Sequence, residues 1–373
     1  MLRGAQLDSS RHSTRIVLIG CLLFVTIEHL QKRYSQAQLH LRNGLHILAC
    51  QKSRGLLQSS GDSADHWLTE AFSRLDLQTE LLLYNTEEKD LSLYEQQVSG
   101  RGGLASLGSL DEARSWVDFL MSQAFQLQRE SYSAENSEDV AQLFRLSSKK
   151  RQLQQDLTSW LQAFRAFKPQ PPSDPKGQVA YGLLLAYHEM TVIITGTSLS
   201  LQDEFLFDQF TSNFTSIITS CRIIIAAARA LATDHNSTFN HKTHLGFSTD
   251  MGIIRPLYYT ALKCRVGDVR REALSMLHSQ THQEGIWDAP TASLVASEVV
   301  HLEENGFGEK DGKDGPESVQ YEHQSSDQCS RISDAWVELP SSPESELRLT
   351  VRQRSRNGTW TIGHRAYNGI CWM

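Results

Sequence analysis

The sequence has no surplus of basic residues, since 43 acidic residues outnumber 36 lysines and arginines and the formal net charge is -7. A dedicated nucleic-acid-binding domain usually carries a basic surplus, so we expect no direct contact with nucleic acid. The six cysteines are scattered, with no Cys-x-x-Cys pair and no other metal-ligand spacing. This usage is typical of buried thiols in a reducing compartment, and it argues against a metal or a cofactor.

The chain also lacks the short motifs that carry catalytic chemistry. It contains no Gly-x-Ser-x-Gly elbow, no His-Glu-x-x-His pair and no glycine-rich phosphate loop followed by lysine. No pair of groups is visibly placed for acid–base work. We therefore predict that the protein is not an enzyme and has no catalytic residues.

The apolar run nearest the N-terminus, Ile16–Ile27, is too short to cross a bilayer. It has twelve residues, whereas a spanning helix needs about 20. Arginines precede it, as in a signal peptide, but it continues directly into the charged stretch 28–33. We predict a disordered segment at 1–15 and then a buried first helix, without membrane contact. A secreted or membrane-anchored protein is the alternative.

Helical periodicity dominates the chain as far as residue 304. Apolar residues recur at steps of three and four over 27–48, 153–167 and 207–231, which predicts an amphipathic helix in each segment. The segment 179–194 is apolar on nearly every side, so we expect a central helix there. Weaker patterns predict further helices over 65–83, 111–129, 253–264, 267–278 and 290–304.

The pattern changes after an acidic, Gly-rich stretch at 305–329, which predicts a flexible linker. Residues 332–339 and 346–354 alternate apolar and polar side chains, and Asn357-Gly358 is a strong hairpin signal before a third strand. The predicted fold is mainly α, a multi-helix orthogonal or bundle-like body at 16–304. A small antiparallel β-meander at 330–365 should pack on it, because so few strands are marginal alone.

A histidine-rich segment suggests a metal site, but a polar loop between helices is the simpler interpretation, because zinc needs three or four converging ligands. Its candidate ligands are Asp234, His235, His241, His244 and Asp250. The acidic residues of 303–317 suggest a surface for a basic partner, although a solvated linker is favoured.

Two basic clusters suggest anion binding. The first is interleaved with acids, which favours a solvated helix face with local ion pairs. The second lies along the second predicted strand, where charge would protect an exposed edge from aggregation. The clusters are Lys263, Arg265, Arg270 and Arg271, and Arg352, Arg354 and Arg356.

Three tryptophans lie on apolar stripes or at turns: Trp116, Trp160 and Trp287. We expect them to anchor the core, because aromatic side chains bring a large buried area. A ligand pocket between helices is the alternative.

Three segments carry a likeness to a known family. Residues 28–48 contain a short basic turn before an Ala-x-x-His-Leu-x-x-Gly-Leu helix. Residues 252–288 contain Gly-Ile-Ile-Arg-Pro-Leu-Tyr-Tyr-Thr-Ala-Leu-Lys-Cys-Arg, then Arg-Arg-Glu-Ala-Leu and Glu-Gly-Ile-Trp-Asp. The alternating segment 332–338 and the strands after it complete the set. Together they resemble the C-terminal regulatory region of fungal zinc binuclear-cluster transcription factors.

The form of the second segment agrees with local stereochemistry. Pro256 lies near a predicted helix start, where its missing N–H costs little. Gly267 can turn the chain between two helices, and Gly285 can supply an unusual dihedral angle before Trp287 enters the core.

The resemblance implies a pathway regulator of secondary metabolism in the nucleus or cytoplasm. The six-cysteine zinc cluster of the family is absent from this sequence, so its DNA recognition is carried over to no residue. We predict a transcription-factor-like protein without its own DNA-binding module. It would act as a homo- or heterodimer with related factors, or through a small-molecule effector. The alternative is a catalytic or non-catalytic small-molecule-binding protein of a biosynthetic pathway.

Overall fold

In a computed structural model of the protein, ten α-helices are followed by a three-stranded antiparallel sheet within the described part of the chain. The structure describes residues 2–53, 63–82, 94–95, 98, 104, 106–134, 139–168, 170–200, 203–234, 246–305, 331–339, 345–354 and 359–367. This confirms the predicted fold class.

The first seven helices are α1 (Leu2–Leu30), α2 (Tyr34–Ser53), α3 (Ser63–Gln78), α4 (Leu110–Ser133), α5 (Val140–Phe167), α6 (Pro175–Thr197) and α7 (Thr211–Asp234). A 3-10 helix, Glu204–Phe210, leads into α7. The last three are α8 (Ile254–Lys263), α9 (Gly267–His278) and α10 (Ala289–Asn305). The strands are β1 (Phe247–Ser248), β2 (Gln283–Glu284), β3 (Trp287–Asp288), β4 (Ile332–Glu338), β5 (Leu347–Arg354) and β6 (Trp360–Tyr367).

Side-chain caps define where the middle helices begin. The Ser109 hydroxyl accepts from the Glu112 amide at 3.1 Å, and the Glu112 carboxylate accepts from the Gly108 amide at 2.9 Å. This reciprocal pattern satisfies the Glu112 amide in the first turn of α4 and the Gly108 amide just before the helix. The Asp174 carboxylate caps α6 by accepting from the Gly177 amide at 2.7 Å, and Pro175 is tolerated as the first residue of that helix.

Helix α6 is the centre of the main core, as its apolar sequence predicts. It packs against α4, α5, α7 and α8, and it buries residues on several sides, including Leu184, Tyr187, Met190 and Ile194. A helix that is apolar all round is stable in water only when other elements cover it. The main core therefore forms around α6 and extends into β4 and β5.

The prediction of one helix over 27–48 is wrong, because the chain turns between α1 and α2. Lys32 adopts a left-handed backbone with φ of 59°, and the Arg33 amide donates to the Glu28 carbonyl at 2.8 Å. Leu30 is exposed, whereas Tyr34 is buried. The apolar spacing continues through the turn, so periodicity alone does not reveal the break.

Two expectations for the N-terminus also differ from the structure. The backbone is helical from Leu2, where we expected disorder at 1–15; residues 2–15 contain no proline that would stop the helix. The predicted buried first helix is largely exposed. Among the side chains of this helix that the structure describes, Leu18, Val25 and His29 are buried, whereas a broad apolar surface faces solvent. The exposed apolar side chains are Ile16, Val17, Ile19, Leu23, Phe24, Ile27 and Leu30.

A second, smaller core joins α1, α2 and α3. It contains Leu18, Val25, Leu41, Leu48, Leu68, Phe72 and Leu75. Gly44 allows α2 and α3 to approach closely, because a Cβ at that position would lie 2.0 Å from the Phe72 ring. The glycine of the Ala-x-x-His-Leu-x-x-Gly-Leu helix is therefore a packing residue.

The C-terminal sheet has the order β4-β5-β6, with both pairs antiparallel. Its buried face contributes Val337, Leu347, Leu349 and Val351 to the main core, and the Val337 amide donates to the Leu82 carbonyl at 2.9 Å. The Asn357-Gly358 turn and the segment 306–330 lie outside the described residues, so the predicted linker stays a prediction.

Candidate functional site: the buried polar junction of residues 252–305

The segment 282–288 builds the N-terminal end of α8. Strands β1 and β2 pair in parallel, and β3 returns antiparallel to β2. The Glu284 carboxylate on β2 accepts from the amides of Gly252, Ile253 and Ile254, with the shortest distances at 2.9 Å. A buried carboxylate at this position satisfies the free N–H groups of the first turn and complements the helix dipole. His282 contacts the same carboxylate at 2.7 Å.

The tight turn after Glu284 places Trp287 in the core. Gly285 has φ of 57°, as its position before Trp287 predicts, and a Cβ there would lie 1.8 Å from the Gln78 side chain. The Trp287 indole donates to the Gln78 carbonyl at 2.7 Å and meets the Tyr258 ring edge-on at 5.1 Å. Only glycine fits both the dihedral angle and the space at this turn.

The basic turn between α1 and α2 docks on the same segment. The Lys32 ammonium lies 2.6 Å from Asp288 and 3.0 Å from the Gln283 side chain, and Gln283 donates to the His29 carbonyl at 3.2 Å. Asp288 also caps α10 through Thr291. Two of the segments that carry the family likeness therefore meet directly.

The predicted solvated basic cluster is instead mostly a buried ion-pair network. Lys263 and Arg265 contact Glu204 at 3.0 and 3.2 Å. Arg265 also lies 2.9 Å from Glu303, which pairs with Arg270 as well. The interleaved acids correctly indicated ion pairs. The partners of Lys263, Arg265 and Arg270, however, come from distant segments, and this network is buried. Only the fourth residue of the cluster fits the expectation: Arg271 pairs with Asp268 on the exposed face.

The same network holds the C-terminal sheet. The Ile332 amide donates to Glu303 at 2.7 Å, and Lys263 donates to the Ser333 carbonyl at 2.7 Å. Burial raises the pKa of Glu204 and lowers the pKa of Arg265, since each charged form loses water. The third family-like segment is thus attached to the second. Because Glu303 is buried here, the prediction that the acidic residues of 303–317 are solvated is wrong for the first of them.

The second basic cluster does not protect a sheet edge, because β5 is the central strand. Arg352 lies 2.6 Å from Asp334 on β4 and stacks over the Trp360 ring at 4.2 Å. Tyr132 of α4 donates to the same Asp334 at 2.5 Å. Arg352 therefore joins the sheet to α4, while Arg354 is partly exposed and Arg356 lies outside the described residues.

The structure brings together no metal site from the histidine-rich segment as far as it is described. His235, His241 and His244 lie outside the described residues, as does the Asp234 side chain. Asp250 pairs with Arg74 at 2.9 Å. No group of three potential ligands occurs among the described residues.

Trp160 and Trp287 are buried core anchors, as predicted. The Trp160 indole donates to the Ala113 carbonyl at 3.0 Å and stacks on Phe164 and His188. Trp116 is partly buried against the main core.

No sequence pattern predicted the most deeply buried of the described arginines. Arg255 in the first turn of α8 is 1% exposed, and its guanidinium lies over the rings of Phe125 and Tyr187. Among the described residues, Nε and Nη2 have no hydrogen-bond partner. An arginine between isoleucine and proline gives no periodic signal for burial, so the sequence alone does not reveal this environment.

Three described helices are long and apolar enough to cross a membrane: His12–Leu30, Pro175–Thr197 and Glu204–Leu231. The second and third are more deeply packed within the protein than the first, for which 17% of the apolar window is buried. All three helices share this length and composition, and α1 differs from the other two by its exposure. The helix is longer than the twelve-residue apolar run from which we predicted no membrane contact.

This chain is similar to the aspercryptin biosynthesis cluster-specific transcription regulator atnN of Emericella nidulans. The two are 22% identical over 363 residues, covering 78% of this chain and 59% of the relative. No family model and no solved structure matches the chain. The similarity is weak, but it supports a transcription-factor-related region and a regulatory role.

Proposed function

We propose that this chain is the regulatory region of a pathway-specific transcription regulator of secondary metabolism, working in the nucleus and without enzymatic activity. The observation that carries the proposal is its similarity to a cluster-specific transcription regulator over 78% of its length. The sequence contains no six-cysteine zinc cluster, so DNA contact would come from a partner or from another module.

The buried junction supports this proposal over an enzymatic one. Glu284 is held by helix amides and His282, and Glu204 and Glu303 are held by cations. Carboxylates in such contacts are committed to holding segments together, and a general acid or base needs a free approach to substrate. The polar chemistry at the junction thus suits a scaffold that joins the N-terminal turn, the α8–α10 block and the sheet.

We propose that the partner is a second copy of this chain, and that the two copies associate through the exposed apolar face of α1. The apolar side chains at 16, 23 and 30 recur every seven residues, and those at 19, 24 and 27 flank them. Such spacing gives a continuous apolar seam for another helix. Monomeric proteins rarely leave a large apolar patch in water.

A reporter assay tests the function. The chain is fused to a heterologous DNA-binding module, and transcription is measured from a promoter that carries the binding site of that module. We expect transcription to change relative to the module alone, and nuclear accumulation of a fluorescent fusion. Glu303→Gln should abolish the effect by disrupting the junction, whereas Glu272→Gln, in an exposed ion pair with Arg222, should retain it. A stable fusion that leaves transcription unchanged would contradict the proposal.

A mobility-shift assay with the isolated chain tests the prediction that it does not bind DNA by itself. We expect no sequence-specific complex that survives physiological salt, because non-specific phosphate contacts weaken steeply with salt. A specific, salt-resistant complex would show that the chain recognises DNA by itself.

A further inference from the structure

Arg255 occupies an environment that is unusual for a cation. It lies in the first turn of α8 and is 1% exposed. Its guanidinium carbon is 5.5 Å from the centre of the Phe125 ring and 6.0 Å from the centre of the Tyr187 ring. Contacts of this kind cover the faces of a guanidinium and leave its edge for hydrogen bonds.

Within the described residues, that edge has no strong hydrogen-bond acceptor. Nη1 contacts the Met251 sulfur at 3.1 Å, which is a weak acceptor. Nε and Nη2 have no hydrogen-bond partner in the described part of the chain. These two nitrogens form one side of the planar group and donate in parallel, which is the geometry that binds both oxygens of a carboxylate.

The acids that act electrostatically on Arg255, Glu80 and Asp118, form their ion pairs with other arginines. Asp118 lies 3.4 Å from Arg74, and Glu80 lies 2.8 Å from Arg129. Glu284 is used by the amides at the start of α8. Glu80 and Asp118 partly balance the charge of Arg255, but buried donors without an acceptor are unfavourable. An anion that reached the Arg255 edge would therefore gain preformed donors.

We propose that Arg255 binds the carboxylate of a small organic acid with an aromatic or aliphatic body, through Nε and Nη2. The rings of Phe125 and Tyr187, which lie against the guanidinium, would be the nearest apolar surface for that body. A regulatory role for this ligand rests on the proposed function, whereas the binding itself does not. Because Arg255 is almost fully buried, the ligand enters only after local opening of the packing around α8.

The test uses the purified full chain and a panel of benzoate, salicylate, phenylacetate and octanoate, with benzamide as the neutral analogue of benzoate. Thermal unfolding and titration calorimetry are measured for the wild type, Arg255→Met and Arg255→Lys. Arg271→Met is the matched control, since Arg271 is exposed on the neighbouring helix.

We expect at least one acid to raise the Tm of the wild type and of Arg271→Met with increasing concentration, and benzamide to have no effect. Affinity should fall by about a hundredfold or more in Arg255→Met and by about tenfold in Arg255→Lys, where a point charge replaces the planar fork. Without ligand, Arg255→Met should be folded and at least as stable as the wild type, because methionine removes two buried donors that have no described acceptor.

The proposal is overturned if no acid in the panel shifts the wild type, or if an acid stabilises Arg255→Met equally. A large loss of stability in unliganded Arg255→Met would also overturn it, since that result would assign the guanidinium to the scaffold. The reporter assay separates the two claims. A reporter effect without acid binding removes this inference alone, and acid binding without any reporter effect removes the proposed function alone.

Discussion

Helix α1 and the junction of residues 252–305 invert the usual relation between polarity and burial. Helix α1 exposes large apolar side chains, with Leu23 at 58%, whereas the junction buries Arg265, Arg270, Glu204 and Glu303. The comparison shows that burial depends on which partners an element meets. Charged side chains can be buried in the junction because opposite charges from distant segments pair with them. On α1, no described element covers the outer apolar face.

The two regions should respond differently to substitution. In the junction, each charge is held by partners that would be left buried if it were removed. On α1, a substitution on the outer face leaves nothing unpaired.

Glu303→Gln should destabilise the protein most, by about 3–5 kcal/mol, because it leaves two buried arginines without their shared carboxylate. Glu303 contacts Arg265 and Arg270 and accepts from the Ile332 amide. The free energy of unfolding measured in urea gives the effect. The control, Glu272→Gln, removes an exposed pair with Arg222 and should cost at most about 1 kcal/mol. Equal losses for the two variants would refute the contrast between buried and exposed pairs.

Two buried groups should give opposite pH dependence. Burial, with a smaller effect of Lys32, lowers the pKa of His29 to about 4. The unfolded state then binds protons more readily below pH 6.5, so this group costs stability as pH falls from 6.5 to 4. Burial raises the pKa of Asp118 to about 6 against the pull of Arg74. This group costs stability as pH rises from about 4 to 6. Each effect is about 3 kcal/mol.

Substitution of either residue should reveal the pH dependence of stability that the other residue causes. Relative to the wild type, His29→Gln should lose stability as pH rises from 4 to 6, because the Asp118 effect is no longer offset. Asp118→Asn should lose stability as pH falls through the same range. Urea unfolding at half-unit pH intervals measures both slopes. Slopes of the same sign in the two variants would show that the two environments are not as described.

The sequence predicts the elements of this fold well where local periodicity decides them. The helix at 267–278 and the strands near 332–339 and 346–354 fall within a residue or so of the structure. Periodicity does not reveal the turn at Lys32, because the apolar spacing runs through it; only the family resemblance indicates a short basic turn there. Exposure of α1 was missed for a different reason, since an apolar helix looks the same in sequence whether or not a neighbour covers it.

The junction was only partly predictable. Gly285 and Trp287 have local signatures in a tight turn and a large aromatic residue, and the structure places both as expected. Burial of Arg265 depends on Glu204 and Glu303, which are 61 and 38 residues away in the chain. Spacing along one helix carries no information about such long-range pairs, so a basic cluster with interleaved acids was interpreted as solvated.

The smallest change in stability is expected on the outer face of α1. Leu23→Gln should alter the free energy of unfolding by less than about 0.5 kcal/mol, because exposed positions lose little packing. It should nevertheless weaken self-association, measured by sedimentation over a range of concentrations, if α1 forms the proposed contact with a second copy. The control, Val25→Gln, places a polar group in the small core, where Val25 is 1% exposed, and should destabilise the monomer by a few kcal/mol. Unchanged association of a folded Leu23→Gln variant would contradict the assignment of this face to self-association. In that case the apolar face of α1 would resemble the buried junction in one respect, because both would serve only the fold of a single chain.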